Sequence, residues 1–126
     1  MSKAGFRNTY DLGKGILEVG LSIMIWEDPG GIHYCYSPAL DLTGYGNTEQ
    51  DAKKSFEHTL EDFVSYTNNK KTIFEELERL GWTVNKKKKR AQPPSEEQLL
   101  EDNENYQVLS NRDDVRKENT KVELAF

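Results

Sequence analysis

The residues able to do acid–base work near turns and strands are Asp28, Asp41, Asp51 and His33. A hydrolytic pair needs an acid and a base converging in one pocket. Asp28 stands in Glu27-Asp28-Pro29-Gly30-Gly31, where a turn residue is the simpler reading. Asp51 falls in the first turn of an expected helix, where a carboxylate favours the helix dipole. His33 and Cys35 share a strand face, which gives two possible metal ligands, and His58 is far away in sequence. A structural zinc site needs about four ligands. Cys35 has no adjacent base to make it a nucleophile. Gly44-x-Gly46 precedes a helix as phosphate-binding loops do, but lacks a third glycine and the Lys-Ser/Thr ending. Its expected role is a turn that permits positive φ. No catalytic residue, metal-ligand set or cofactor site is assigned.

Binding chemistry has more candidates. Lys86, Lys87, Lys88, Lys89 and Arg90 are five consecutive cations that could meet nucleic-acid phosphates. Read as a solvated linker, the same run needs no partner. Tyr34, Tyr36 and Tyr45 could stack bases. The plainer expectation is that Tyr34 and Tyr36 pack beneath a helix with their hydroxyls at its edge.

Charge limits the partner. The 126 residues carry a net charge of −5, which argues against bulk electrostatic binding of nucleic acid. Residues 1–85 hold 8 basic and 13 acidic residues, and residues 86–126 hold 9 of each. The expected globular part is therefore the acidic part and would steer a basic partner towards it. One cysteine excludes an intramolecular disulfide and fits a reducing compartment. No apolar run approaches the roughly 20 residues that span a bilayer, and Met1–Phe6 lacks the apolar core of a signal peptide. A cytoplasmic protein with no membrane contact is expected.

The elements that must position these residues follow from periodicity. Residues 1–15 read as a lead-in. Leu17, Val19, Leu21, Ile23 and Ile25 alternate with Glu18, Gly20, Ser22, Met24 and Trp26, a strand with one buried face. Residues 27–31 turn the chain, and Ile32, Tyr34 and Tyr36 give a second strand. Leu40 and Leu42 predict a short third strand that Gly44 and Gly46 end. Thr48 caps a helix over 49 to about 67, with Ala52, Phe56, Leu60, Phe63 and Val64 on one face. A second helix is expected over 72–80, with Gly81 as its C-terminal cap and a short strand at Thr83 and Val84. Residues 85–126 read as a linker and tail. Ser95 could open one or two helical turns, and Val122, Leu124 and Phe126 alternate as a possible late strand. That strand would join its own sheet or a neighbour's, and deleting residues 120–126 should change the oligomeric state or the melting point. The fold class is α+β: a three- to four-stranded antiparallel sheet with a long helix on one face.

Residues 16–84 resemble the N-terminal domain of the HicB family of antitoxins. The resemblance rests on Gly30, Gly31, Pro38, Leu40, Gly44, Gly46, Thr48 and Ala52, in the order hairpin turn, Pro-x-Leu, glycine segment and capped helix. Asp41-Leu42-Thr43 lacks the second proline that the family often carries there. The resemblance implies a partial RNase H-like fold without its catalytic carboxylates. It also implies an antitoxin that covers a small basic ribonuclease toxin and catalyses nothing. The acidic helix residues Glu57, Glu61 and Asp62 are the expected partner contact, and a homo-oligomer is expected. Many members bind operator DNA through a helix-turn-helix or ribbon-helix-helix module. Residues 85–126 show neither, so operator binding is not expected. The alternatives are a HicB-like regulatory module with no toxin, and an RNA-binding module built on the lysine run.

Overall fold

A computed structural model describes residues 9–13 and 15–126. The chain runs β1 (Thr9–Asp11), β2 (Ile16–Glu27), β3 (His33–Ser37), β4 (Leu42–Gly46), α1 (Glu49–Lys70), α2 (Ile73–Arg79), β5 (Thr83–Asn85), β6 (Arg90–Gln92), α3 (Glu96–Asp102), α4 (Glu104–Ser110) and β7 (Arg116–Ala125). This is an α+β fold with an antiparallel sheet and one long helix. β2 is the spine of the sheet. β7 pairs along one edge of it, from Ile16↔Ala125 to Ile25↔Arg116. The other edge is shared by β1, at Leu17 to Val19, and β3, at Met24 to Glu27. β4 pairs with β3 and completes five strands.

The alternation in β2 does what period two predicts. Leu17, Val19, Leu21, Ile23 and Ile25 are all buried on the α1 side. The hairpin to β3 closes on Asp28, whose Oδ1 accepts from the backbone N–H groups of Gly30 at 2.9 Å and Ile32 at 3.0 Å. Gly31 supplies the positive φ, +90°. The late strand is present and longer than its apolar residues indicate. Val122 and Leu124 sit in the main core, and the Phe126 ring packs 5.3 Å from Phe74. Thr9–Asp11, within the expected lead-in, forms β1; the rest of that lead-in before residue 9 lies outside the described residues.

Three expectations need correction. First, the sheet has two covered faces. Met24 and Tyr36 are buried against Tyr106 and Leu109 of α4, on the face away from α1. Tyr36, and Tyr34 stacked on Trp26 on the same face, therefore do not lie beneath the long helix. Alternation assigns residues to faces but does not say what covers each face; Met24 and Trp26 were the apolar signal on the second one.

Second, Pro38 and Leu40 do not start a strand. Pro38–Asp41 is a turn, with Asp41 at φ 54°, and β4 begins at Leu42. Gly44 lies inside β4, and Gly46 is its last residue. Neither is among the positive-φ residues.

Third, the stretch read as a linker is built into the fold. β5 and β6 form a hairpin, with Lys86–Lys89 as its turn and Lys89 at φ 55°. Ala91 is fully buried in the main core. Ser95 Oγ caps α3 by accepting from Gln98 N–H at 3.1 Å, and Asn103 Oδ1 caps α4 by accepting from Tyr106 N–H at 2.9 Å. A single small residue such as Ala91 leaves no periodic trace, so the sequence pattern was silent there.

The helices end close to expectation. α1 runs to Lys70, and Lys71 caps it in the left-handed region at φ 59°. α2 ends before Gly81, at φ +95°, where Trp82 N–H donates to Leu77 O at 3.0 Å. The Trp82 indole N–H then donates to Ala39 O at 2.7 Å and ties the α2 end to the β3–β4 turn. Among the described residues, no helix is long and apolar enough to cross a membrane.

Candidate functional site

Helix α1 is held against β4 at unusually short range. A Cβ on Gly44 would lie 2.2 Å from Phe56 N and 2.6 Å from Ala52 O. One on Gly46 would lie 2.5 Å from Asp51 Cβ. Glycine is needed here for close approach of two backbones, not for a turn. Ala52 is fully buried at the same junction. Thr48 Oγ1 accepts from Asp51 N–H at 3.0 Å and starts the helix. On the edge of β4, Tyr45 N–H donates to Ser55 Oγ at 3.2 Å. Gly44, Gly46, Thr48 and Ala52 thus meet in one place and fix the helix. Gly30, Gly31, Pro38 and Leu40 shape the two preceding turns.

This fixing presents the outer face of α1. Glu57, Glu61 and Asp62 are all exposed. The Glu61 side chain is 76% exposed and lies 3.5 Å from His58 Nδ1. Among the described residues, Glu57 and Asp62 make no ion pair. Closer to the sheet the acids are already matched. Lys53 Nζ lies 3.3 Å from Glu49 and 3.2 Å from Glu118, and Arg116 bonds both carboxylates. The Arg116 guanidinium holds Glu49 and Glu118 below the usual carboxylate range, and Glu118 holds the Lys53 amine up. The unmatched negative charge is therefore on the outer turns.

The five cations of residues 86–90 do not form one patch. Lys86 reaches back to Glu75 at 3.5 Å and Glu78 at 3.6 Å. Lys87, Lys88 and Lys89 stand in solvent at the hairpin tip. Arg90 is half-buried in β6, and its Nε is enclosed without a hydrogen-bond partner.

The acid–base and metal candidates are dispersed. Asp28 is taken up by the hairpin turn and by the Tyr34 hydroxyl, which donates to it at 3.1 Å. The Ile32 N–H bond leads in holding the Asp28 carboxyl below its usual range. Asp41 accepts from the Tyr36 hydroxyl at 2.9 Å. His33 Nε2 stands 3.8 Å from Glu27. Cys35 is fully buried, and burial pushes its thiol up to about 11. Among the described residues, no three His, Cys, Asp or Glu side chains gather as a metal site.

Comparison with protein-family models, curated proteins and solved structures finds no match to this chain. Function must be argued from its own surfaces.

One grouping was not read from the sequence, and a second was read only in part. A cavity of about 640 Å³ lies between the outer sheet face and α3. Part of its polar wall is Glu96, Tyr106 and Lys117: the Tyr106 hydroxyl donates to Glu96 at 2.8 Å, and Lys117 Nζ reaches both at 3.1 Å, while the Gln92 Oε1 beside them is buried without a partner among the described residues. Glu96, Tyr106 and Lys117 satisfy one another. The second is an aromatic row. Trp26, Tyr34 and Tyr45 are register partners on β2, β3 and β4. The Trp26 and Tyr34 rings stack at 5.2 Å and 17°, and Tyr45 follows Tyr34 at 6.5 Å and 38°. The structure thus brings Tyr34 and Tyr45 together and separates Tyr36, which lies under α4. Adjacent strands with aromatics at matched positions were the available signal.

Proposed function

We propose that this chain is a HicB-type antitoxin that binds a small basic ribonuclease toxin and acts by occupying it, without catalysis of its own. The observation that carries the reading is the outer face of α1. Glu57, Glu61 and Asp62 are exposed there on a helix anchored by backbone contact with β4, while the neighbouring acids are already neutralised. A rigid, unmatched anionic face speeds encounter with a cationic partner and selects against anionic ones. The HicB-like, partly RNase H-like character of the fold is part of this proposal. It is supported by the hairpin turn, Pro-x-Leu, glycine pair and capped helix occurring in the family's order. A homo-oligomer and a cytoplasmic location belong to the same proposal.

The test is affinity capture of the tagged protein from its native lysate, with ribonuclease assay of what is recovered. One stoichiometric small basic protein, inhibited by the bait, supports the reading. The triple reversal E57K/E61K/D62K should weaken that capture, and unchanged capture removes the helix face from the interface. Recovery of no specific protein by folded bait favours a regulatory module without a toxin. The exposed Lys87–Lys89 tip favours RNA contact as a second reading. It predicts RNA retention that collapses with salt; salt-insensitive or absent retention ends it.

A further inference from the structure

The aromatic row has two ends, and they differ. At the β2 end the Arg112 guanidinium carbon stands 6.0 Å from the centre of the Trp26 ring. Asp114 holds that guanidinium: Arg112 Nε donates to Oδ1 at 2.9 Å, and the Nη2 group donates to Oδ2. At the other end Tyr45 is 66% exposed. Among the described residues β4 pairs with β3 alone, and no further strand lies beyond it. Among the described residues, no second ring and no cation covers the far side of Tyr45.

The open end is also held in place. Tyr34 is fixed by its hydroxyl bond to Asp28, and Asp28 is fixed by the turn it closes. The Tyr45 backbone is tied to β3 by register and to α1 through Ser55. With its backbone held this way, Tyr45 has only its two side-chain torsions left to order on binding. Asp28 beside Tyr34 adds negative charge at the row, and the chain as a whole carries −5. Phosphate-bearing ligands are disfavoured on both counts.

We infer that the open face of Tyr45 is an arginine-reading site, which takes a guanidinium from a basic partner protein as Trp26 takes the guanidinium of Arg112. The inference rests on the basic-partner reading above and names a second contact for that partner. A planar, weakly hydrated guanidinium lies flat on an aromatic face, whereas a lysine ammonium stays hydrated. The two contacts are within reach of one protein. Ser55, Thr59 and Asp62 follow one line along α1, at spacings of four and three. Asp62 is therefore about 10 Å along the helix from Ser55, which meets the Tyr45 backbone. The Tyr45 ring points to the sheet face away from α1, so one partner would reach both contacts around the β4 edge.

The experiment titrates the full chain with a short Gly-Arg repeat peptide and its Gly-Lys counterpart, by calorimetry and by the NMR shifts of the Tyr45 ring. The arginine peptide should bind about three- to fivefold tighter, the range of a partly solvated cation–π contact. Y45A should abolish that preference, and Y45F should keep it. Tyr45 is exposed, so both variants should fold, which a melt confirms. Equal affinities for the two peptides overturn the inference, as does binding of neither. So does a preference that survives Y45A. A single-stranded RNA that shifts the Tyr45 ring more tightly than the arginine peptide overturns it in favour of base stacking. The variant E57Q/E61Q/D62N separates the two proposals: it should weaken both peptides equally and leave their ratio unchanged. If it weakens neither, the helix-face reading fails, while the ratio still reports on Tyr45.

Discussion

The amide nitrogen of Phe56 lies 2.2 Å from where a Cβ on Gly44 would stand. No real side chain tolerates that approach, and both partners are backbone. G44A must therefore push α1 off β4 and open the cluster of Ile25, Cys35, Ala52 and Phe56. Forced overpacking of a core typically costs about 1–3 kcal/mol, and a backbone clash belongs at or above the top of that range. G30A is the control, since its Cβ would meet Asp28 Oδ1 at 3.4 Å, an ordinary contact. Urea melts should show a loss of about 3 kcal/mol or more for G44A and under about 1 kcal/mol for G30A. Similar midpoints for the two would mean that the close approach is not what requires glycine.

That junction marks how far the sequence could be read. The residues Gly44, Gly46, Thr48 and Ala52 were picked out, and the helix after them was placed to within three residues of its end. The reason for the glycines was not legible, because close approach is a relation between two segments and φ is a property of one. The strand β2 was legible because its inward residues are large and alternate. β6 was not, because Ala91 alone carries its burial. The acidic helix face could be listed from spacing. Which helix carboxylates are matched could be read only in part: Glu49–Lys53 is an i,i+4 pair within α1, whereas Arg116 and Glu118 come from β7, far along the chain.

β7 makes a second prediction. Its Leu124 is 1% exposed and lies against Leu17 across the ladder. L124A should cost about 2–5 kcal/mol by the usual cost of a buried leucine cavity. Deleting residues 120–126 removes Val122, Leu124 and about half of the pairing to β2, so it should lower the melting point far more than a frayed tail would. An unchanged melt of the truncated chain would show that β7 is dispensable to the sheet.

Cys35 makes a third. Its thiol is fully buried, with burial raising it to about 11, so it is neutral at pH 8 and shielded from reagents. Modification by an aromatic disulfide reagent should be slow in the native protein and immediate in denaturant. The native rate should follow the opening of the fold, so G44A should accelerate it. Fast native labelling at pH 8 would contradict the packing between β3 and α1.

The ion network on the α1–β7 side makes the fourth, and its sign can be worked out. Glu49 and Glu118 titrate below their ordinary value of 4.5 in the folded chain, chiefly because Arg116 bonds both. A depressed carboxylate contributes stability that is present above its unfolded value and lost as pH falls through the folded one. Lys53 shifts the other way from 10.5, chiefly through Glu118, so its contribution is complete below that value and lost as pH rises through the folded one. The network should therefore stabilise between about pH 5 and 10. All four side chains are at least one-third exposed, so the effect is small and screened by salt. The check is the melting-point gap between the unsubstituted chain and E118Q, followed with pH. It should be widest near neutrality, close as pH falls below about 4, and shrink in molar salt. A gap that stays constant across that range would mean that Glu118 acts through packing and not through its charge.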